Sequence, residues 1–241
     1  MLQVSLSEIH YFFMKTKSDL EREKELAAKE AVKLIGDNMI VGLGTGSTAY
    51  YAIMEIGQRV KEGLKIKAVP TSEETEKLAA SLNIELIDIK TVDAIDLTID
   101  GADEFTSDLM MIKGGGGALF REKIVLSLTK KKIIISDSSK KVEMLGKFKV
   151  PVEVVPFAAN YVLKQIASEG GSGELRMKDG REFLTDQENY IIDADFGLIN
   201  DPKTLSTLLN GIEGVLAHGL FIGLADQIIM GDGDTAMVFE K

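Results

Sequence analysis

With 241 residues, 45% of them hydrophobic and 27% charged, the chain is long enough for one large domain or a large and a small one, and its composition excludes global disorder. A formal net charge of −10 excludes non-specific nucleic-acid binding, and it obliges any anionic ligand to be met by local positive features. There is no cysteine, so disulfides, thiolate nucleophiles and cysteine-ligated metals are excluded, and no apolar run approaches the roughly 18–20 residues of a membrane span.

The first segment, "MLQVSLSEIHYFF", lacks the basic start and small-residue cleavage site of a secretory signal. Met14, followed by "KTKSDLEREKE", reads as a second start, so residues 1–18 are expected to form a dispensable, disordered or loosely packed extension. Residues 19–35 have helical spacing, with Leu20, Ala27, Ala31 and Leu34 on one face. "NMIVGLGTGSTAYYAIMEIGQRV" reads as strand, glycine turn and amphipathic helix. "KIKAVPT" is a strand, and Thr71 to Glu74 matches a capping box opening the helix "SEETEKLAASL". "IELI" and "AIDLTID" are short buried strands, and "KKIIISD" follows the helix "REKIVLSLT". Strands alternating with helices predict a Rossmann-like parallel sheet covered on both faces, with ligands at the carboxyl ends of its strands.

Near Gly146 the pattern changes. "KFKVPVEVV", "AANYVLKQIAS", two strands within residues 173–196, "DPKTLSTLLNGI" with Pro202 in its first turn, and "GVLAHGLFI" give the order βαββαβ. This predicts a second, smaller α+β domain of the split βαβ, ferredoxin-like kind over 146–218. "ADQIIMGDGDTAMVFE" is a hairpin around Gly231–Asp234 returning to the larger domain, which therefore takes 19–145 and 219–241.

The glycine turn, "DGADE" and "DSSK" all fall at the carboxyl ends of the parallel strands, so three motifs converge on one edge, and "KGGGGALFREK" adds a fourth candidate. "VGLGTGSTA" offers backbone N–H groups, a helix start and the hydroxyls of Thr45, Ser47 and Thr48 to an anion. It lacks the third glycine of a dinucleotide fingerprint and the lysine of a Walker loop, and a tight turn with Ser47 as helix cap reads equally well. In "DGADE", Asp100 and Asp103 flank Gly101 and Ala102 at the end of an apolar strand, where buried carboxylates are costly without partners. Glu104 and Asp108 lie near enough for a divalent metal, but no histidine joins them and no calcium-loop spacing appears. In "KGGGGALFREK", bare glycine backbone can wrap a small ligand, with Lys113 bringing a positive charge and Glu122 a carboxylate. Taken singly, these two charges read equally well as solvated surface and helix-dipole compensation. His218 lies in an apolar strand and reads as a core histidine, so no Ser-His-Asp arrangement is expected.

The sequence resembles ribose-5-phosphate isomerase of the A type. The resemblance rests on "GLGTGSTA", "VPTSEET", "TIDGADE", "KGGGGAL" with "REK", "DSSK" and "INDPKTLSTLLNGIEGVLAHGLF", in family order from about residue 20 onward. It implies an aldose–ketose isomerase for ribose 5-phosphate and ribulose 5-phosphate in the non-oxidative pentose phosphate pathway. Glu122 would be the base, Lys113 would stabilise the enediolate, and Asp100 and Asp103 would handle hydroxyl protons and ring opening. Thr45, Gly46, Ser47 and Thr48 would hold substrate, chiefly its phosphate, with Lys140 of "DSSK" and Lys24 as further binding lysines. Gly101, Ala102, Gly114, Gly115 and Gly116 would line the sugar. Phe120 stands where the family has a small polar residue.

No cofactor and no metal are implied. A homodimer or homotetramer and a cytoplasmic location are expected, with no nucleic-acid or membrane partner. Burial would raise the Glu122 pKa while Lys113 and the helix end would lower it, and the sequence leaves that balance open. A phosphosugar sensor, an amino-sugar-phosphate deaminase or a coenzyme A transferase on the same scaffold are the alternatives. A sensor would want a helical DNA-binding module before Asp19, and a deaminase a histidine in its site.

Overall fold

Apolar strands with amphipathic helices between them assemble a six-stranded sheet in the computed structural model, which describes residues 15–240. Residues 1–14, most of the expected extension, lie outside the described residues. The first helix, α1 (Lys17–Val32), starts two residues before the expected Asp19. Thr16 and Asp19 cap it reciprocally, the Thr16 hydroxyl accepting from Asp19 N and the Asp19 carboxylate from Thr16 N. Then follow β1 (Ile40–Leu43), α2 (Ser47–Lys61), β2 (Lys67–Pro70), α3 (Glu73–Ser81) and β3 (Ile95–Gly101). After two short strands come α4 (Leu119–Leu128) and β6 (Thr129–Asp137), and the chain later returns as β14 (Gln227–Asp232) and β15 (Thr235–Glu240).

The order is β15-β14-β6-β3-β1-β2, parallel throughout except for the terminal β15. Alternation along β6 sends Ile133 and Ile135 into the core with Ala27, Ala31, Ile53 and Ile56 of α1 and α2. Ile134 points to the other face, among Leu119, Leu126 and Phe221. Both faces are thus covered, which is why these strands read as continuous apolar runs.

Two expectations need correction. "IELI" is no strand: Leu86 makes one isolated bridge to Ala68. The cap of α3 is Ser72, whose hydroxyl accepts from Thr75 N at 3.1 Å, because Thr71 is turned inward to donate to Leu43 O at 3.0 Å. A further sheet was not legible. The strands β4 (Glu104–Phe105) and β5 (Met111–Ile112) pair with each other, and β13 (Leu220–Phe221) adds to β5; two-residue strands carry no period to read.

The βαββαβ segment forms β7 (Val150–Val154), α5 (Ala159–Ser168), β8 (Ser172–Leu175), β11 (Tyr190–Asp195), α6 (Pro202–Asn210) and β12 (Val215–His218). Between β8 and β11 lies a small hairpin of β9 (Met177–Lys178) and β10 (Arg181–Glu182). The antiparallel order β12-β7-β11-β8 is the ferredoxin-like arrangement, and its core joins Val152, Val154, Val162, Ile166, Ile192 and Leu209. The fold is therefore α/β, a Rossmann-like parallel sheet accompanied by a smaller α+β sheet. Among the described residues no helix is long and apolar enough to cross a membrane.

Candidate active site

The carboxyl ends of β1 and β3 approach so closely that only glycine fits at position 44: a Cβ there would lie 2.5 Å from Asp100 Cα. That approach lets Thr45 N donate to Asp100 Oδ1 at 3.2 Å, alongside Gly101 N at 2.7 Å. Gly46 then takes φ +112° and caps α2 with no side-chain bond, so Ser47 is not the cap and the first N–H groups of α2 stay open to an anion. The Thr45 hydroxyl is braced by Thr71 at 2.7 Å, Ser72 at 2.9 Å and Thr75 at 3.2 Å.

Leaving β5, Lys113 enters a fully buried position, its N–H donating to Gly219 O at 2.9 Å. Its ammonium donates to Gly101 O at 2.6 Å and contacts Asp100 Oδ2 at 3.0 Å and Glu122 Oε2 at 3.3 Å. Glu122 comes from the first turn of α4, immediately after the glycine loop. Three ionisable groups from a 23-residue stretch, positions 100 to 122, thus share one buried spot.

Burial dominates their titration. It pushes Glu122 up to about 8, the Lys113 charge only partly opposing it and Asp100 and Asp103 adding to the rise. Asp100 is likewise raised by burial, against Lys113 and the two backbone donors. Burial alone would lower Lys113, but the carboxylates of Asp100 and Glu122 outweigh it and hold the ammonium above its ordinary value. Asp100 Oδ2 and Glu122 Oε2 contact Lys113 without a well-directed hydrogen bond, so two buried carboxylate oxygens remain unsatisfied.

A cleft of about 80 Å³ opens above this cluster. Its lining comprises Thr45, Gly46, Ser47, Thr48, Gly101, Ala102, Asp103, Lys113, Gly114, Gly115, Gly116, Glu122 and Lys140. Asp103 is fixed by Gly115 N at 2.7 Å, and Asp100 lies fully buried beneath the cleft. Lys24 is the one expected binding residue not brought here, since its ammonium bonds Glu21 at 2.8 Å. Phe120 also stays out of the lining and instead borders a larger groove of about 710 Å³ with Val69 and Ile124. That groove contains none of the buried ionisable groups, which makes the smaller cleft the candidate site.

Sequence reasoning missed two supports. Glu23, fully buried, accepts from Ser138 N at 3.1 Å and Gly233 N at 2.8 Å and so holds the turn that carries Lys140. Arg176 reaches the glycine loop from the smaller sheet. The Glu104 and Asp108 alternative dissolves: Glu104 accepts from Gly146 N and Phe148 N, and Asp108 from the Thr106 hydroxyl. Among the described residues no three His, Cys, Asp or Glu side chains gather to hold a metal ion. His218 is a core residue, driven down to about 3 by burial and then by the Lys123 charge.

Fold and cleft together define an α/β enzyme whose buried acid–base cluster lies at the carboxyl edge of a parallel sheet. The family profile of ribose 5-phosphate isomerase A (phosphoriboisomerase A) matches residues 67–235. A ribose-5-phosphate isomerase A of Sphingopyxis alaskensis is 48% identical over 92% of this chain and 97% of its own, and one of Bacillus mycoides 51% identical over 86% and 95%. A D-ribose-5-phosphate isomerase solved in complex with phospho-erythronic acid superposes with a TM-score of 0.89 at 40% identity, covering 92% of this chain and 99% of that one. The chain belongs to the ribose-5-phosphate isomerase A family and is an aldose–ketose isomerase.

Proposed function

We propose that the chain interconverts D-ribose 5-phosphate and D-ribulose 5-phosphate by metal-independent proton transfer through an enediolate. The observation that carries this reading is the 3.3 Å contact between Glu122, with a pKa near 8, and a buried, charged Lys113. A C–H beside an aldehyde is a weak acid, so its removal needs a base matched to the working pH and a fixed positive charge for the oxyanion. In this reading Glu122 takes the C2 proton of the open-chain aldose and returns it to C1. Lys113 neutralises the oxygen, Asp100 keeps Lys113 charged, and Asp103 moves hydroxyl protons and assists ring opening. The open N-terminus of α2, with Thr45 to Thr48 and Lys140, receives the phosphate. The relatives' names, and the phosphorylated sugar acid held by a similar solved structure, support the substrate class.

Glu122→Gln is the test. It keeps the shape and hydrogen-bonding reach but removes the base, so kcat falls by about 10²–10⁴-fold while phosphosugar affinity stays within a few fold. Near-normal turnover would reject Glu122 as the base. Substrate hydrogen exchanges with deuterated solvent during turnover, and activity survives chelation. Full retention of label together with loss of activity in EDTA would point to a metal-assisted hydride shift instead.

The same proposal places the enzyme in the non-oxidative pentose phosphate pathway, in the cytoplasm. It treats 19–145 with 219–241 as the catalytic unit and 146–218 as a separate domain, through which two or four copies associate. Exposed Phe157, Tyr161 and Leu216 on that smaller unit support association. A monomer mass by light scattering would overturn it.

A further inference from the structure

Four consecutive glycines have no side chains by which a neighbour could grip them, yet Gly114 to Gly116 line the cleft. Beside the turn bond from Gly117 N to Gly114 O at 3.0 Å and the bond from Gly115 N to Asp103, a grip comes from the other sheet. Arg176 Nη1 donates to Gly114 O at 3.1 Å and to Gly115 O at 3.0 Å. The rest of the guanidinium is held as a fork by Asp193, Nε donating to Oδ2 at 3.0 Å and Nη2 to Oδ1. We infer that Arg176, anchored by Asp193, is a positioning residue that sets the two peptide planes of the glycine loop from which the cleft takes its N–H donors.

The reason lies in peptide planarity. In a trans peptide the carbonyl and the following N–H point in opposite directions. Drawing the carbonyls of Gly114 and Gly115 toward Arg176 therefore turns the N–H groups of Gly115 and Gly116 away from it. One of them is the donor that fixes Asp103 at 2.7 Å. The other belongs to Gly116, which lines the cleft. With φ at +97° for Gly114 and +86° for Gly117, the loop has many backbone alternatives, and a guanidinium bridging successive carbonyls selects one. Phe183 closes the same grip: a Cβ on Gly117 would lie 2.5 Å from its ring, whose centroid is 5.8 Å from the Arg176 guanidinium carbon. Because Nε and Nη2 face Asp193 and Nη1 faces the carbonyls, Arg176 acts on the loop and does not bind substrate itself.

The inference rests on the proton-transfer reading of the cleft, so Glu122→Gln is measured beside the new variants. Steady-state kinetics with ribose 5-phosphate should show kcat of Arg176→Met reduced about 10–100-fold, as expected when a catalytic frame shifts by about an ångström. KM stays within threefold, and the thermal midpoint within a few degrees. Arg176→Lys recovers only part of the loss, because a single ammonium cannot hold both carbonyls and the carboxylate fork. Asp193→Asn, which keeps the guanidinium but loosens its anchor, moves kcat in the same direction by less. Wild-type kcat in Arg176→Met, or a raised KM with kcat unchanged, overturns the inference. If Arg176→Met does not fold, wild-type kcat in both Arg176→Lys and Asp193→Asn overturns it equally. Turnover retained by Glu122→Gln would instead sink the reading of the cleft and is distinguishable from either result.

Discussion

Replacing Lys113 by methionine keeps most of the side chain, one atom shorter, and removes the charge between two buried carboxylates. At an effective dielectric of about 20, unit charges 3.0 Å apart, as for Lys113 and Asp100, attract by roughly 5 kcal/mol, and the Glu122 contact at 3.3 Å approaches this only above about pH 8, where Glu122 is ionised. Desolvation of the ions takes back most of this, and removing one partner of a buried pair costs about 3–5 kcal/mol overall. The variant escapes part of the loss by protonating Asp100 and Glu122. Both already have raised values in the folded wild type, and without the ammonium they rise further. A carboxylate raised on folding contributes stability below its unfolded pKa and loses it as pH climbs toward the folded value. The deficit of Lys113→Met therefore grows with pH, by about 1.4 kcal/mol per unit for each carboxylate that is charged in the wild type and neutral in the variant. Urea unfolding should give a loss of about 4 kcal/mol at pH 7.5, shrinking to about 1–2 kcal/mol at pH 5.5. Equal losses at the two pH values, or a loss under about 1 kcal/mol at pH 7.5, would show that the carboxylates are not linked to this ammonium.

Two other outcomes follow from the same geometry. Because the base works as a carboxylate and its value lies near 8, log kcat/KM should rise with unit slope through the neutral range and level off above about pH 8; a plateau reached by pH 6 would contradict the raised value. Gly44→Ala puts a methyl 2.5 Å from Asp100 Cα, so β1 and β3 must part. Overpacking of this kind costs about 1–3 kcal/mol, and it should come with a loss of turnover because Asp100 moves with its strand. A melting curve and kcat matching the wild type would refute the close approach.

Which parts of this site were readable depended on chain distance. "GLGTGSTA", "DGADE" and "DSSK" announce themselves because each follows a strand of the parallel sheet and so falls at its carboxyl edge, whereas "KGGGG" leaves the small antiparallel sheet and is marked by its composition. Lys113 and Glu122 follow, being nine residues apart on either side of the glycine loop. Arg176 could not be read, since it meets Gly114 across 62 positions and looks in sequence like any exposed strand cation. The α1 lysine shows a finer limit. Successive helix positions point about 100° apart, so Glu23 turns inward to Ser138 and Gly233 while Lys24 turns to Glu21. The balance of forces on Glu122 depended on how completely it is buried, which periodicity alone does not state.

The absence of side chains between Lys113 and Ala118 has an evolutionary corollary. Much of what a ligand would touch in that wall is main chain, and main-chain atoms are the same whatever codon is written. Drift by single replacements can spoil such a wall by adding bulk but has little vocabulary for reshaping it. A change of substrate preference at this spot would have to come through insertion, deletion or a new path of the polypeptide, which makes the wall one of the slowest surfaces of the enzyme to acquire a new taste.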